Sequence, residues 1–262
     1  MSSAPVTLEL AGGVAWLTLA RPERRNAIGP EVARALRDMA DRCADDARVR
    51  CVVLTGSGRF FSVGGDVDLF AKAGDDAEAT VLDLANSFHA GIHRLATMAK
   101  PLVTAINGPA AGAGFSLAIL GDIAIACASA HFTSAYSALG LTPDGGASWW
   151  LPRLVGLRRA QEIMLTNRRI EAQEAAAIGL VTRVVPDETL IDTTREIARS
   201  LAAGPTTAIG RCRSLLLAST TQDLATQLDD ESRWIASSAS GAEGREGIAA
   251  FLAKRPPNFI AK

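Results

Sequence analysis

The chain is short of aromatic residues and of any charge surplus. Its 262 residues include one tyrosine and three histidines, the aromatic share is 5%, and the formal net charge is −1. A near-neutral chain carries no basic field to hold nucleic acid or an anionic membrane. The four cysteines, Cys43, Cys51, Cys127 and Cys212, have no C-x-x-C spacing. They read as reduced, mostly structural thiols of a reducing compartment. Met1-Ser2-Ser3-Ala4-Pro5 lacks a basic region followed by an apolar run, so no secretory leader is expected and the expected location is the cytoplasm. Pro101 to Gly121 is uncharged and long enough to suggest a membrane span, but Asn107-Gly108-Pro109 breaks it into short blocks. His89 and His93 stand four apart without an evident third ligand, so they read as helix histidines and no metal site is expected.

What the chain does have is a core. A hydrophobic share of 48% over this length suffices for one large domain, or one domain with a small appendage. From Pro101 to Pro143 the only charged residue is Asp122, and the small-residue loop Asn107-Gly108-Pro109-Ala110-Ala111-Gly112-Ala113-Gly114 lies inside that stretch. Such a loop brings bare backbone N–H groups close to a ligand. The stretch ends at Thr142-Pro143-Asp144-Gly145-Gly146. An acid beside an apolar core is costly unless it is paired, neutralised or used. Amide donors aimed at an oxygen next to one carboxylate are the parts needed to make and quench an enolate. The spacing alone fits equally a turn aspartate that caps the helix starting near Gly146.

Apolar runs at Val6–Leu10 and Val14–Leu19 around Gly12-Gly13 predict a hairpin. Cys51–Thr55, Leu102–Ile106, Ile123–Cys127 and Leu180–Val185 read as further strands. Helices are predicted after Pro30, over Ala77–Met98 with Leu84, Phe88, Ile92 and Leu95 on one face, and over Gly112–Leu120, Gly146–Val155, Arg158–Leu165 and Glu171–Ile178. After Leu190 the pattern is helical throughout, to Leu252. The expected architecture is an α/β core over residues 1–195, followed by a C-terminal helical oligomerisation subdomain over 196–262.

Six clusters, in order, carry a resemblance over Trp16 to Phe259: Arg21-Pro22 with Asn26-Ala27, Phe61-Ser62-Val63-Gly64-Gly65-Asp66, Ile106-Asn107-Gly108 with Gly112-Ala113-Gly114, Gly121-Asp122-Ile123, Ala175 with Gly179-Leu180-Val181, and Phe251-Leu252-Ala253-Lys254-Arg255. The chain resembles the crotonase superfamily, also called the enoyl-CoA hydratase/isomerase family. The resemblance implies a crotonase-like core of stacked ββα turns, an acyl-CoA thioester substrate, and assembly as a homo-trimer or hexamer. It implies no cofactor beyond the coenzyme A that the thioester itself carries. By motif position the two oxyanion donors are the backbone N–H groups of Gly65 and Ala113. Arg24, Ala27, Gly65, Asp66, Phe251 and Lys254 are the implied substrate-binding residues, the last two reaching a neighbouring subunit's coenzyme A. Asp68 stands where relatives often carry lysine.

The departures decide the chemistry. Hydratases of the family use two glutamates, and this chain has Ser116 and Tyr136 at those positions. Neither is a ready general base near neutral pH. Asp144 occupies a third position, where family isomerases carry an acid. A double-bond shift needs one base and no added water. Trp149, Trp150 and Leu151 are expected to desolvate that acid. The leading expectation is therefore an enoyl-CoA isomerase with Asp144, Gly65, Ala113 and Tyr136 as its catalytic set. The alternatives are an enoyl-CoA hydratase, a hydrolase like 4-chlorobenzoyl-CoA dehalogenase in which Asp144 attacks and His89 activates water, and a non-catalytic acyl-CoA scaffold.

Overall fold

Two strands, β1 (Val6–Ala11) and β2 (Val14–Leu19), turn back on each other through Gly12-Gly13 as their alternating pattern predicts. They open a six-stranded sheet in a computed structural model that describes residues 4–260. Met1–Ser3 of the stretch read for a leader, and the last two residues of the expected C-terminal unit, lie outside the described residues. The remaining strands of the sheet are β3 (Cys51–Gly56), β4 (Leu102–Ile106), β6 (Ile123–Cys127) and β9 (Arg183–Val185), all parallel, in the order β1-β2-β3-β4-β6-β9. β3 and β4 are buried at every residue, which is why they read as unbroken apolar runs.

Three short strands, β5 (Ala110–Ala111), β7 (His131–Thr133) and β8 (Ile170–Glu171), form a second layer. Isolated bridges Ser62–Ala110 and Ile28–Gly65 extend it. The chain thus runs repeatedly from a long strand to a short one to a helix. β4 leads to β5 and α4 (Ala113–Ala118), and β6 leads to β7 and then to α5 (Ala147–Val155) and α6 (Leu157–Thr166). These are the stacked ββα turns that the resemblance implied. The short strands escaped the sequence reading because two or three residues carry no periodicity, and so did α2 (Val67–Ala73).

Helices α1 (Pro30–Asp45) and α3 (Ala77–Thr97) pack together, while α8 (Leu190–Ala203) packs on the main sheet. Residues 195 and 196, the expected junction, lie inside α8. α7 (Ala172–Ala177) precedes β9, and α9 (Thr206–Ala218), α10 (Leu224–Ser240) and α11 (Ala242–Leu252) complete the chain. The uncharged stretch from Pro101 folds into β4, β5 and α4, and no described helix is long and apolar enough to cross a membrane. Asp122, the lone charge between Pro101 and Pro143, accepts the Leu102 N–H at 2.7 Å and pairs with Arg213 Nε at 2.7 Å.

Candidate active site

Two loops follow the carboxyl ends of β3 and β4, and their backbones are stitched together. Ala111 N donates to Ser62 O at 3.0 Å, and Phe61 N to Pro109 O at 3.1 Å. Ser62, fully buried, donates its hydroxyl to Asn26 O at 2.8 Å. At the outer edge, Ile28 N donates to Gly64 O and Asp66 N to Ile28 O. In such a parallel bridge the residue between the two bonds, Gly65, turns its own N–H away from the partner strand. Ala113 is the first residue of α4, so its N–H has no acceptor within the helix. Among the described residues neither amide has a protein acceptor.

Glycine is required beside each donor. Gly64 has φ +93° and Gly112 has φ +53°. A Cβ on Gly64 would lie 2.7 Å from Ala111 O and 3.2 Å from Ala113 N, so the two loops abut at this point. The left-handed residue is Gly112, not Ala113, and alanine at the second donor position is therefore unstrained.

Three side chains from distant parts of the chain converge next to α4. The Tyr136 hydroxyl donates to Asp144 Oδ1 at 2.6 Å. Ser116 Oγ lies 3.0 Å from the same hydroxyl and donates to the Asp144 backbone carbonyl at 2.9 Å. Burial, reinforced by the Asp144 carboxylate, pushes the Tyr136 phenol well above the ordinary tyrosine pKa. Tyr136 is therefore a proton-bearing donor, not a base. The Asp144 side chain keeps 33% of its surface exposed, so the burial expected from Trp149, Trp150 and Leu151 is incomplete. Its Oδ2 lies 3.7 Å from His89 Nε2, and that nitrogen accepts the Gly145 N–H at 2.9 Å. His89 is the residue that the sequence placed in the site only under the dehalogenase alternative. It sits on α3 beside the buried Phe88, and its position at the rim of the apolar stripe was the available signal. Among the described residues no group of acidic, histidine and cysteine side chains could hold a metal ion.

The expected substrate-binding set is divided. Arg24 lies at the rim, where its guanidinium bonds Asp66 at 3.0 Å and Asp68 at 3.4 Å. Asn26, buried, ties its side chain to Arg21 N, Ser57 O, Phe60 O and Phe61 O, and so fixes the loop that carries Arg24 and Ala27. Phe70, on α2, approaches Gly65: a Cβ there would lie 3.2 Å from its ring. Phe251 is 82% exposed at the end of α11, and neither it nor Lys254 bonds to this cluster within the chain.

Comparisons with known proteins place the chain in a family. The model of the enoyl-CoA hydratase/isomerase family matches residues 9–262. The chain belongs to that family. It is 41% identical over 251 residues to the 1,2-epoxyphenylacetyl-CoA isomerase of Escherichia coli (strain K12), covering 95% of this chain and 96% of the relative. It is 33% identical to a 4-chlorobenzoyl coenzyme A dehalogenase of Arthrobacter sp., covering 95% and 91%. The crystal structure of an enoyl-CoA hydratase from Polaromonas sp. JS666 superposes with a TM-score of 0.92 at 34% identity, covering 97% of this chain and 98% of that one. The chain is thus a crotonase-fold acyl-CoA enzyme, and its relatives' names range over isomerase, hydratase and dehalogenase.

Proposed function

We propose that this enoyl-CoA hydratase/isomerase family member is an isomerase that shifts a double bond through a thioester enolate. The observation that carries the proposal is a single carboxylate, Asp144, fixed by a neutral donor on Oδ1 with Oδ2 left for a carbon acid. Asp144 takes a proton from one carbon of the acyl group. The charge that develops on the thioester oxygen is held by the Gly65 and Ala113 amides. The same carboxyl then returns the proton to the carbon two bonds further on, so no water is consumed. Ser116 and Tyr136 cannot replace the two glutamates of hydration, since both hydroxyls are spent within the cluster. The 41% identity to an isomerase supports the same choice.

Coenzyme A enters as part of the substrate, along the rim formed by Arg24, Ala27 and Asp66. Arg24 must exchange a carboxylate partner for a phosphate to take part. Phe251 and Lys254 serve the coenzyme A of a neighbouring copy, in a cytoplasmic homo-trimer or hexamer. Asp144→Asn should lower kcat on a β,γ-unsaturated acyl-CoA at least ~10²-fold, with thioester affinity little changed. Retained turnover would remove Asp144 from its role.

One observation favours a second reading, hydrolytic dehalogenation with Asp144 as nucleophile: His89 Nε2 lies 3.7 Å from Oδ2. However, the lone pair that would activate water already receives the Gly145 N–H, which ranks isomerisation first. Halide release from a 4-halobenzoyl-CoA would reverse that ranking.

A further inference from the structure

The loop that carries Asp144 turns through two left-handed glycines, Gly145 at φ +61° and Gly146 at φ +80°. It lies hard against two helices. A Cβ on Gly145 would meet Ser116 Cβ of α4 at 2.8 Å and Phe88 Cε1 of α3 at 3.0 Å. The peptide that joins Asp144 to Gly145 is held from both sides. Its carbonyl oxygen accepts the Ser116 hydroxyl at 2.9 Å and the Ala147 N–H at 3.1 Å. Its N–H donates to His89 Nε2 at 2.9 Å. The C=O and N–H of a trans peptide point in opposite directions, so side chains of α4 and α3 grip opposite edges of one plane.

The two grips are not equal. The carbonyl has two donors, whereas among the described residues the Gly145 N–H has no acceptor but His89. Gly145 is buried. A buried N–H without an acceptor is unfavourable, and a peptide next to glycine rotates readily. The histidine therefore sets which way this peptide faces. The plane includes the Cα of Asp144, so its orientation also sets the direction in which the acid's side chain leaves the backbone. Tyr136 then fixes Oδ1 at 2.6 Å. Oδ2 is left 3.7 Å from the imidazole nitrogen, beyond hydrogen-bond reach.

We infer that His89 is a positioning residue: a neutral imidazole, protonated on Nδ1, whose Nε2 clamps the Gly145 amide and so aims Asp144 Oδ2 at the carbon acid. The inference rests on the isomerase reading of Asp144 and adds a residue to it. It differs from the role of a water-activating base. An imidazole nitrogen has one lone pair, and here the amide takes it, while Nδ1 can only donate. His89 acts on the reaction only through the backbone of its neighbour. Misplacing a reacting group by about 1 Å can cost ~10²-fold in rate, so a peptide that swings free of its clamp is expected to slow the proton transfer without loosening the thioester.

Nitrogen NMR of the protein labelled in its histidines reads the clamp without any turnover. The His89 signals, assigned by their loss in His89→Gln, should show a bare Nε2 and a protonated Nδ1 at neutral pH. A proton on Nε2 overturns the inference. Steady-state kinetics on a β,γ-unsaturated acyl-CoA reads the consequence. His89→Leu removes the acceptor and should lower kcat at least ~10-fold with KM changed less than about three-fold. His89→Gln brings an amide oxygen within reach of the same N–H and should recover kcat to within about three-fold of the unsubstituted protein. Circular dichroism melting verifies that both variants are folded, and the NMR result does not need the leucine variant. Equal kcat in all three proteins overturns the inference. So does an equal loss in both variants, which marks the imidazole as a proton carrier, and so does a loss confined to KM, which marks it as a substrate contact. If the unsubstituted protein turns over no β,γ-unsaturated thioester, the isomerase reading falls, and the NMR result alone decides the clamp.

Discussion

Tyr136 acts through one oxygen. Its hydroxyl makes the shortest bond of the cluster to Asp144 and shares Ser116 with it. A charge-assisted bond of this kind is worth about 1.5–3 kcal/mol, so Tyr136→Phe leaves the carboxylate without its anchor. The expected result is a fall in kcat of about ten-fold or more on a β,γ-unsaturated thioester with KM changed less than about three-fold, read by steady-state kinetics. An equal loss in KM would mean that Tyr136 holds substrate instead. The identities of Ser116, Tyr136 and Asp144 were legible in the sequence, because each replaces or adds an acid at a motif position. Their convergence on one point was not, because they arrive on a buried helix, a turn and a separate loop. The histidine was legible as a residue of the α3 helix. Its contact with the Gly145 amide depends on where the loop after Pro143 comes to rest, and no spacing encodes that.

At the scale of elements, the short parts of the fold place the site and the long helices enclose it. The long helices were legible from apolar stripes over three or more turns, as in α3 with Leu84, Phe88, Ile92 and Leu95 buried. The second layer was not, because β5, β7 and the Ser62 and Ile28 bridges are too short to show a period. One side chain ties α9 to the end of α3. Arg213 is only 10% exposed, closes the C-terminal end of α3 through Leu95 O and Met98 O, and pairs with Asp122. Arg213→Met would strand two carbonyls and a carboxylate. The expected cost is about 2–3 kcal/mol, at the low end for a broken buried pair because Asp122 still reaches water. Urea unfolding should show it as a lower midpoint, and limited proteolysis should cut the chain first beyond α8.

For the whole molecule, α10 packs on α9 and α11 but leaves an apolar face uncovered among the described residues. α10 runs for 17 residues with none of them buried. Leu224, Leu228 and Ile235 fall on one face of it and are 73%, 50% and 70% exposed. A helix of that length gains little from propensity alone and needs an apolar face covered. The proposed homo-trimer or hexamer would cover it. Light scattering at micromolar concentration should give a mass three or six times that of the chain, and Ile235→Asp should shift the population toward smaller species. A monomer at every concentration would leave α10 without the support argued for it.

The two amides at Gly65 and Ala113 belong to the main chain, and their aim is set by strand pairing and by two neighbouring glycines. Side-chain replacement at either position leaves an N–H in place. The acid and its helpers at 116, 136 and 144 are ordinary side chains, open to exchange one codon at a time. Under the proposed roles, drift can therefore rewrite which proton moves, while the grip on the thioester passes unaltered from one descendant to the next.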